Sequence, residues 1–178
     1  AINGLYQWIP GSETFKRIDL LKHKEDPLVV RAVIVDKEGA VWCSVIYHGL
    51  FSYDPVTGII KNYRYNQKDT TSLIRDNVFS IVEDRSGTIW IGSDGLCSYN
   101  RESDNFTHYP INDLLFTLYE DRKGQLLVPT WFEIKKVDKI NKSFLTLQKD
   151  TSMQGYTELL YEDIQTNLWK ASSAGLFL

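Results

Sequence analysis

Four times along this chain an aspartate is followed, six residues later, by a large apolar side chain: Asp36 and Trp42, Asp84 and Trp90, Asp121 and Leu127, Asp163 and Trp169. The aspartates stand 48, 37 and 42 residues apart. Self-similarity at about 40 residues marks stacked supersecondary units, either propeller blades or solenoid repeats.

Each copy opens on an apolar run (30–35, 78–82, 114–119 and 158–161) rich in Val, Ile, Leu, Phe and Tyr, the composition of a strand buried on both faces. Asp-x-x-Gly then closes a turn: Asp opens a type I turn, and Gly at the fourth position adopts positive φ without strain. In the last copy Thr166-Asn167 replaces the glycine, and Asn167 is expected to supply the left-handed geometry. A second strand follows, such as 88–92. A third starts at Gly-Leu (Gly49-Leu50, Gly95-Leu96, Gly175-Leu176, with Gly4-Leu5 near the start of the chain), and a fourth covers 14–18, 60–63, 106–109 and 144–147. Helical spacing is absent. The pattern predicts an all-β fold, a β-propeller segment of four-stranded antiparallel blades, about four blades' worth.

As a single propeller segment over 1–178, the chain divides into the end of a blade with its crossing (1–29), a blade (30–63), a blade with a long crossing (64–109), a divergent blade (110–147) and the start of a last blade (148–178). Opening and stopping on a third strand suggests part of a larger closed ring. The raw strand edges of such a part predict self-association, a homodimer being the simplest form.

Composition narrows the function classes. With 178 residues and 43% apolar content, the core is expected as several layers between blades. A net charge of −3 with interspersed signs argues against a nucleic-acid partner, which would select a basic stripe. No run approaches the ~18 apolar residues of a membrane helix, so a membrane is expected to be met only through segments outside this sequence. Cys43 and Cys97 fall in different blades and read as separate buried thiols. His23, His48 and His108 have no metal-ligand spacing, and no nucleophile elbow or phosphate loop occurs. No catalytic residue, metal or cofactor is predicted.

The stretch Ser72-Leu73, then Val78-Phe79-Ser80-Ile81-Val82-Glu83-Asp84-Arg85-Ser86-Gly87-Thr88-Ile89-Trp90-Ile91-Gly92-Ser93, continued by Gly95-Leu96-Cys97-Ser98-Tyr99, resembles the two-component regulator propeller repeat. That resemblance implies the extracytoplasmic sensor region of a hybrid two-component system of the kind common in gut Bacteroidetes. It carries with it a periplasmic location, an oligosaccharide ligand, and a membrane helix and histidine kinase outside this sequence. The copy from 114 to 147 departs from the pattern, with Leu127 for Trp, Pro129 in place of a small residue, and Trp131-Phe132-Glu133-Ile134 where Gly-Leu is expected.

Repeat phase separates structural residues from the remainder. Trp42, Trp90 and Trp169 are locked to the turn and belong to the core between blades. Trp131 has no counterpart. In a four-stranded meander, the connections between second and third strands and the crossings between blades emerge at one end. That rim collects Arg31, Tyr47, His48, Arg75, Asn77, Trp131 and Phe132 as the candidate ligand-binding set. Aromatic faces stack on sugar rings, and Arg or His binds uronate or sulfate by charge-assisted hydrogen bonds. Two other readings stay open: a structural or interaction propeller through which a receptor dimerises, and a polysaccharide-active lyase or hydrolase. The latter would need converging carboxylates or a His–Tyr pair at the channel mouth, and the sequence presents no such set.

Overall fold

A computed structural model describes residues 4–21, 28–149, 155–173 and 175–177, which leaves His23 outside it. The described residues form strands joined by turns and loops, with no helix. A hairpin of β1 (Leu5–Ile9) and β2 (Thr14–Ile18) comes first. Three four-stranded antiparallel meanders follow: β3 (Val30–Val35), β4 (Val41–Val45), β5 (Gly49–Tyr53) and β6 (Ile60–Tyr63); β7 (Ser80–Glu83), β8 (Ile89–Ser93), β9 (Gly95–Asn100) and β10 (Asn105–Tyr109); β11 (Tyr119–Glu120), β12 (Leu126–Pro129), β13 (Glu133–Asp138) and β14 (Ser143–Lys149). A three-stranded sheet of β15 (Thr157–Glu162), β16 (Leu168–Ser172) and β17 (Gly175–Phe177) closes the series. This is a β-propeller arrangement of antiparallel blades.

The core is a stack of apolar layers between successive blades. Ile18, Val45 and Phe51 fill the first, Trp42, Ile81 and Ile91 the second, Trp90, Leu115 and Val128 the third, and Leu127, Ile134 and Leu160 the fourth. Cys43 and Cys97 are buried free thiols in different layers, and burial pushes both up to about 12, so neither ionises at neutral pH.

Every repeat turn has the same internal wiring. The Asp backbone N–H donates to the carbonyl four residues on, and the N–H at the fourth position (Gly39, Gly87, Gly124 or Thr166) donates back to the Asp carbonyl. The carboxylate Oδ1 accepts two more backbone N–H groups, those of Glu38 and Ala40, Ser86 and Thr88, Lys123 and Gln125, or Gln165 and Asn167. Its Oδ2 accepts the indole N–H six residues on, at 2.8 Å for Trp42 and Trp90 and 2.9 Å for Trp169. Where Leu127 replaces Trp, the Gln125 side chain donates to Asp121 Oδ2 instead. The sequence reading assigned these aspartates only a backbone role and missed the indole bond. In the last copy it is Thr166, φ 68°, and not Asn167 that takes the left-handed conformation. Asn167 instead spends its amide on the Asp163 carboxylate, which holds it in the strand-side position.

A second correction concerns the run 114–119, expected as a first strand. Only Tyr119 and Glu120 pair with β12. Pro129 has no N–H to continue the ladder, and its ring disfavours a partner strand. The preceding backbone hangs on the neighbouring blade: Leu115 N–H donates to Ser93 O, and Leu115 O accepts the Ser80 hydroxyl. Gly92 makes this approach feasible, because a Cβ there would lie 2.8 Å from Leu115 O.

Blades are fastened to each other through the same turns. The residue before Asp reaches back: Glu83 accepts the Lys37 N–H, Glu120 the Arg85 N–H and Glu162 the Arg122 N–H. The cation after Asp reaches forward: Lys37 donates to the carbonyls of Asp84 and Arg85, Arg85 to those of Asp121 and Arg122, and Arg122 to that of Ile164. Arg101 and Lys139, each at a hairpin between third and fourth strands, return to the Asp36 and Asp84 carboxylates at 3.1 and 2.6 Å.

Replacing Trp90 with Ala removes a ring that is 1% exposed, packed against Tyr109 and bonded to Asp84; it should cost about 3–5 kcal/mol in urea unfolding. Trp131→Ala, at a site 39% exposed, should cost far less; equal losses would mean that repeat phase does not separate core from surface.

Burial pushes the Asp84 carboxyl up, but Lys139, Ser86, Trp90 and the Thr88 amide outweigh it and hold it at about 2, against an ordinary 3.8. The folded value lies below the unfolded one. Its contribution is therefore complete above about pH 4 and is lost as pH falls toward 2, on the order of 2 kcal/mol. Asp84→Asn should flatten that part of the acid-unfolding profile. An unchanged slope over that window would count against the assignment.

Candidate ligand-binding surface

The meander places the connections β4–β5, β8–β9 and β12–β13, together with the crossings between blades, at one end of the sheets. Along the inner strands, the position five before each repeat Asp reads Arg31, Phe79, Phe116 and Glu158. A position that differs in charge and size between copies is not needed by the repeat. The structure gathers these residues. The Arg31 guanidinium lies over the Phe79 ring at 5.1 Å and the Phe116 ring at 5.5 Å. Phe79 and Phe116 are 4.8 Å apart, Phe116 and Tyr156 are 4.5 Å apart, and Trp131 meets Tyr156 edge-on at 6.0 Å. Arg31, Phe116, Tyr156 and Glu158 line a cavity of about 480 Å³.

Trp131 and Phe132 form the tip of a tight turn from β12 to β13, closed by Thr130 N–H to Glu133 O at 2.8 Å. Both rings stay well exposed, at 39% and 48%. The same turn sets Trp131 against Tyr156 of the next blade.

Tyr47, His48 and Asn77 belong to a second group. Tyr47 is 72% exposed with φ 64°, its N–H donating to Asn77 Oδ1 and its carbonyl accepting from Arg64. Arg64 also bonds Asp76 at 2.7 Å; burial pushes that carboxyl up, while Arg64 and the Tyr65 N–H more than offset it and lower it. The His48 carbonyl accepts the Asn62 amide. Arg75 stands apart again, over the Tyr65 ring at 5.1 Å and 3.7 Å from Asp94. The seven sequence candidates are thus distributed over an axial group containing Arg31 and Trp131, with Phe132 beside it, a loop group containing Tyr47, His48 and Asn77, and Arg75 apart from both. Asn77 is spent on holding the Tyr47 loop. Sequence reasoning missed Phe79, Phe116, Tyr156 and Glu158, although the mixed identity five before Asp was a usable signal for three of them.

Among the described residues no group of His, Cys, Asp and Glu could hold a metal ion. The cavity has one carboxylate, one guanidinium and two aromatic rings. Such a set can stack a flat apolar face and bond both an anion and a hydroxyl; it has no paired carboxylates for acid–base work.

The blades, their turn wiring and this axial surface define a β-propeller segment. Residues 72–95 match the family model described as two component regulator propeller. In structure the chain is similar to the extracellular domain of a protein described as a hybrid two component system from B. thetaiotaomicron, at 20% identity and a TM-score of 0.75, covering 98% of this chain and 25% of that one. It is also similar to the extracellular domain of a one component system from the same organism (18% identity, TM-score 0.57, 98% and 31% covered). Virginiamycin B lyase from Staphylococcus aureus aligns as well, at 13% identity and a TM-score of 0.70, with 95% and 60% covered. The chain therefore spans between a quarter and a third of the length of these two extracellular domains, and at these identities the likeness is one of fold. No curated protein matches the chain. No helix among the described residues is long and apolar enough to cross a membrane.

Proposed function

We propose that this chain is part of the ligand-sensing propeller of an extracytoplasmic, periplasmic sensor, which recognises an oligosaccharide at the axial end and passes the signal to a histidine kinase. The repeat match at residues 72–95 and the fold shared with extracellular domains of two-component proteins support the sensor class. One observation carries the ligand class: the run of aromatic faces Phe79, Phe116, Tyr156 and Trp131, ending in a guanidinium. Rings from three blades, tilted to one another by 38° and 40° and edge-on at Trp131, offer stacking area to a chain of sugars, and stacking tolerates variation in the sugar's hydroxyl pattern. A ligand held by several blades transmits a signal only if it binds two arrangements with different affinity. A single carboxylate in the cavity favours binding over catalysis.

The competing reading, a propeller that mainly joins two receptors, draws on the exposed Val33 and Val35 of β3. Calorimetric titration of the full-length protein against defined polysaccharide fragments separates the two. Trp131→Ala should weaken binding about tenfold, on the order of 1–2 kcal/mol, with the melting curve nearly unchanged. If Trp131→Ala and Tyr156→Ala both leave affinity intact, the axial surface is not the binding site.

A further inference from the structure

We propose that the axial cavity is specific for an acidic sugar, a hexuronate unit whose carboxylate sits on Arg31, whose ring face stacks on Phe116 and Tyr156, and whose hydroxyls donate to Glu158. This rests on the reading of the chain as a saccharide sensor and narrows it to one ligand chemistry.

Two independent observations support it. The first is that Arg31 is unspent. Its guanidinium has aromatic faces on it and, among the described residues, no hydrogen bond or ion pair. Ring contacts occupy the guanidinium face, whereas its N–H donors lie in the plane and remain available in the fork geometry that matches a carboxylate. The second is that both charged residues of the cavity lie on β-bulges. Pairing of β3 with β4 shifts between Val30 and Val33, with Arg31 and Ala32 opposite Ser44 alone, which places Arg31 in the bulge. Pairing of β15 with β16 shifts between Thr157 and Leu159, so that Glu158 is the extra residue. Ser44 Oγ accepts the Ala32 N–H within the first bulge, stabilising it. By contrast β7, next to Phe79, pairs in regular register with β8. Bulges re-aim side chains and recur beside binding sites. Here they turn one donor and one acceptor into the same 480 Å³ space, large enough for a monosaccharide unit.

The test is titration of the full-length protein with uronate oligomers (galacturonate, glucuronate-containing and mannuronate series), each paired with its carboxyl-reduced neutral counterpart. At least one acidic oligomer should bind tenfold or more tightly than its reduced form, with the advantage shrinking as salt rises. Arg31→Gln should abolish that advantage, Arg31→Lys should keep only part of it, and Glu158→Gln should weaken the acidic oligomer severalfold. Neutral and acidic oligomers binding alike, or Arg31→Gln preserving the preference, would overturn the acidic specificity while leaving the saccharide sensor standing. Absence of binding by every saccharide, acidic or neutral, would overturn both.

Discussion

The Asp84 carboxylate, 1% exposed, accepts from the Ser86 and Thr88 backbone, the Ser86 hydroxyl, the Trp90 indole and the Lys139 ammonium. A buried ionised group is tolerated only when it is fully paired, and this one draws its partners from three places: its own turn, the second strand of its blade, and the outer hairpin of the next blade. The turn, the tryptophan rotamer and the distance between blades are therefore fixed by one group. Asp36 repeats the arrangement with Trp42 and Arg101. Removing the carboxylate would strand an indole N–H and a cation together at Asp36 and Asp84, and at Asp121 it would strand two backbone N–H groups and the Gln125 amide.

The latch formed by the flanking residues gives the stack a direction. A glutamate looks back to the previous turn and a cation looks forward to the next, so each turn is held from both sides. Repeating one rigid offset brings the inner strands toward a common axis. That offset brings Arg31, Phe79 and Phe116, from three blades, close enough to touch. The chain breaks the scheme at Val35, which occupies the glutamate position and has no acceptor to offer; the junction on that side of β3 is apolar, lined by Leu5, Ile18, Val33 and Val41.

What could be read in advance follows from what the repeat enforces. Phase gave the blades and the tryptophan cores, because turn chemistry and apolar periodicity are local and recur. Trp131 stood out for the opposite reason, as an aromatic with no phase. The failures are physical as well. Asn167 looked like the left-handed residue by propensity, but a bond from its amide to Asp163 was worth more, and Thr166 took the strained position. The run 114–119 looked like a strand by composition, but Pro129 withheld the partner and Ser80 and Ser93 captured the backbone. Both outcomes depend on a side chain other than that of the residue being judged. The axial set was hidden because Phe79 and Phe116 sit inside apolar runs, where an aromatic looks like core; Tyr156 lies off the phase of the others.

Divergence of the third blade and the geometry of the axis are connected. Pro129 ends the β11–β12 ladder early, which frees the segment before Tyr119 to lie against the previous blade and brings the Phe116 ring to Phe79. The turn that follows Pro129 carries Trp131 across to Tyr156 of the last sheet. One substitution in the repeat thus lengthens an aromatic surface in both directions along the axis, at the expense of ladder bonds in its own blade. The bulges in β3 and β15 act similarly, exchanging regular pairing for the direction of a charged side chain. Regular pairing has been given up at β3 and β15, which face the axis, while the turns at the other end keep their backbone wiring. A scaffold that is regular where blades are joined and irregular where they meet a common opening separates the residues that hold the ring from those left to meet a ligand.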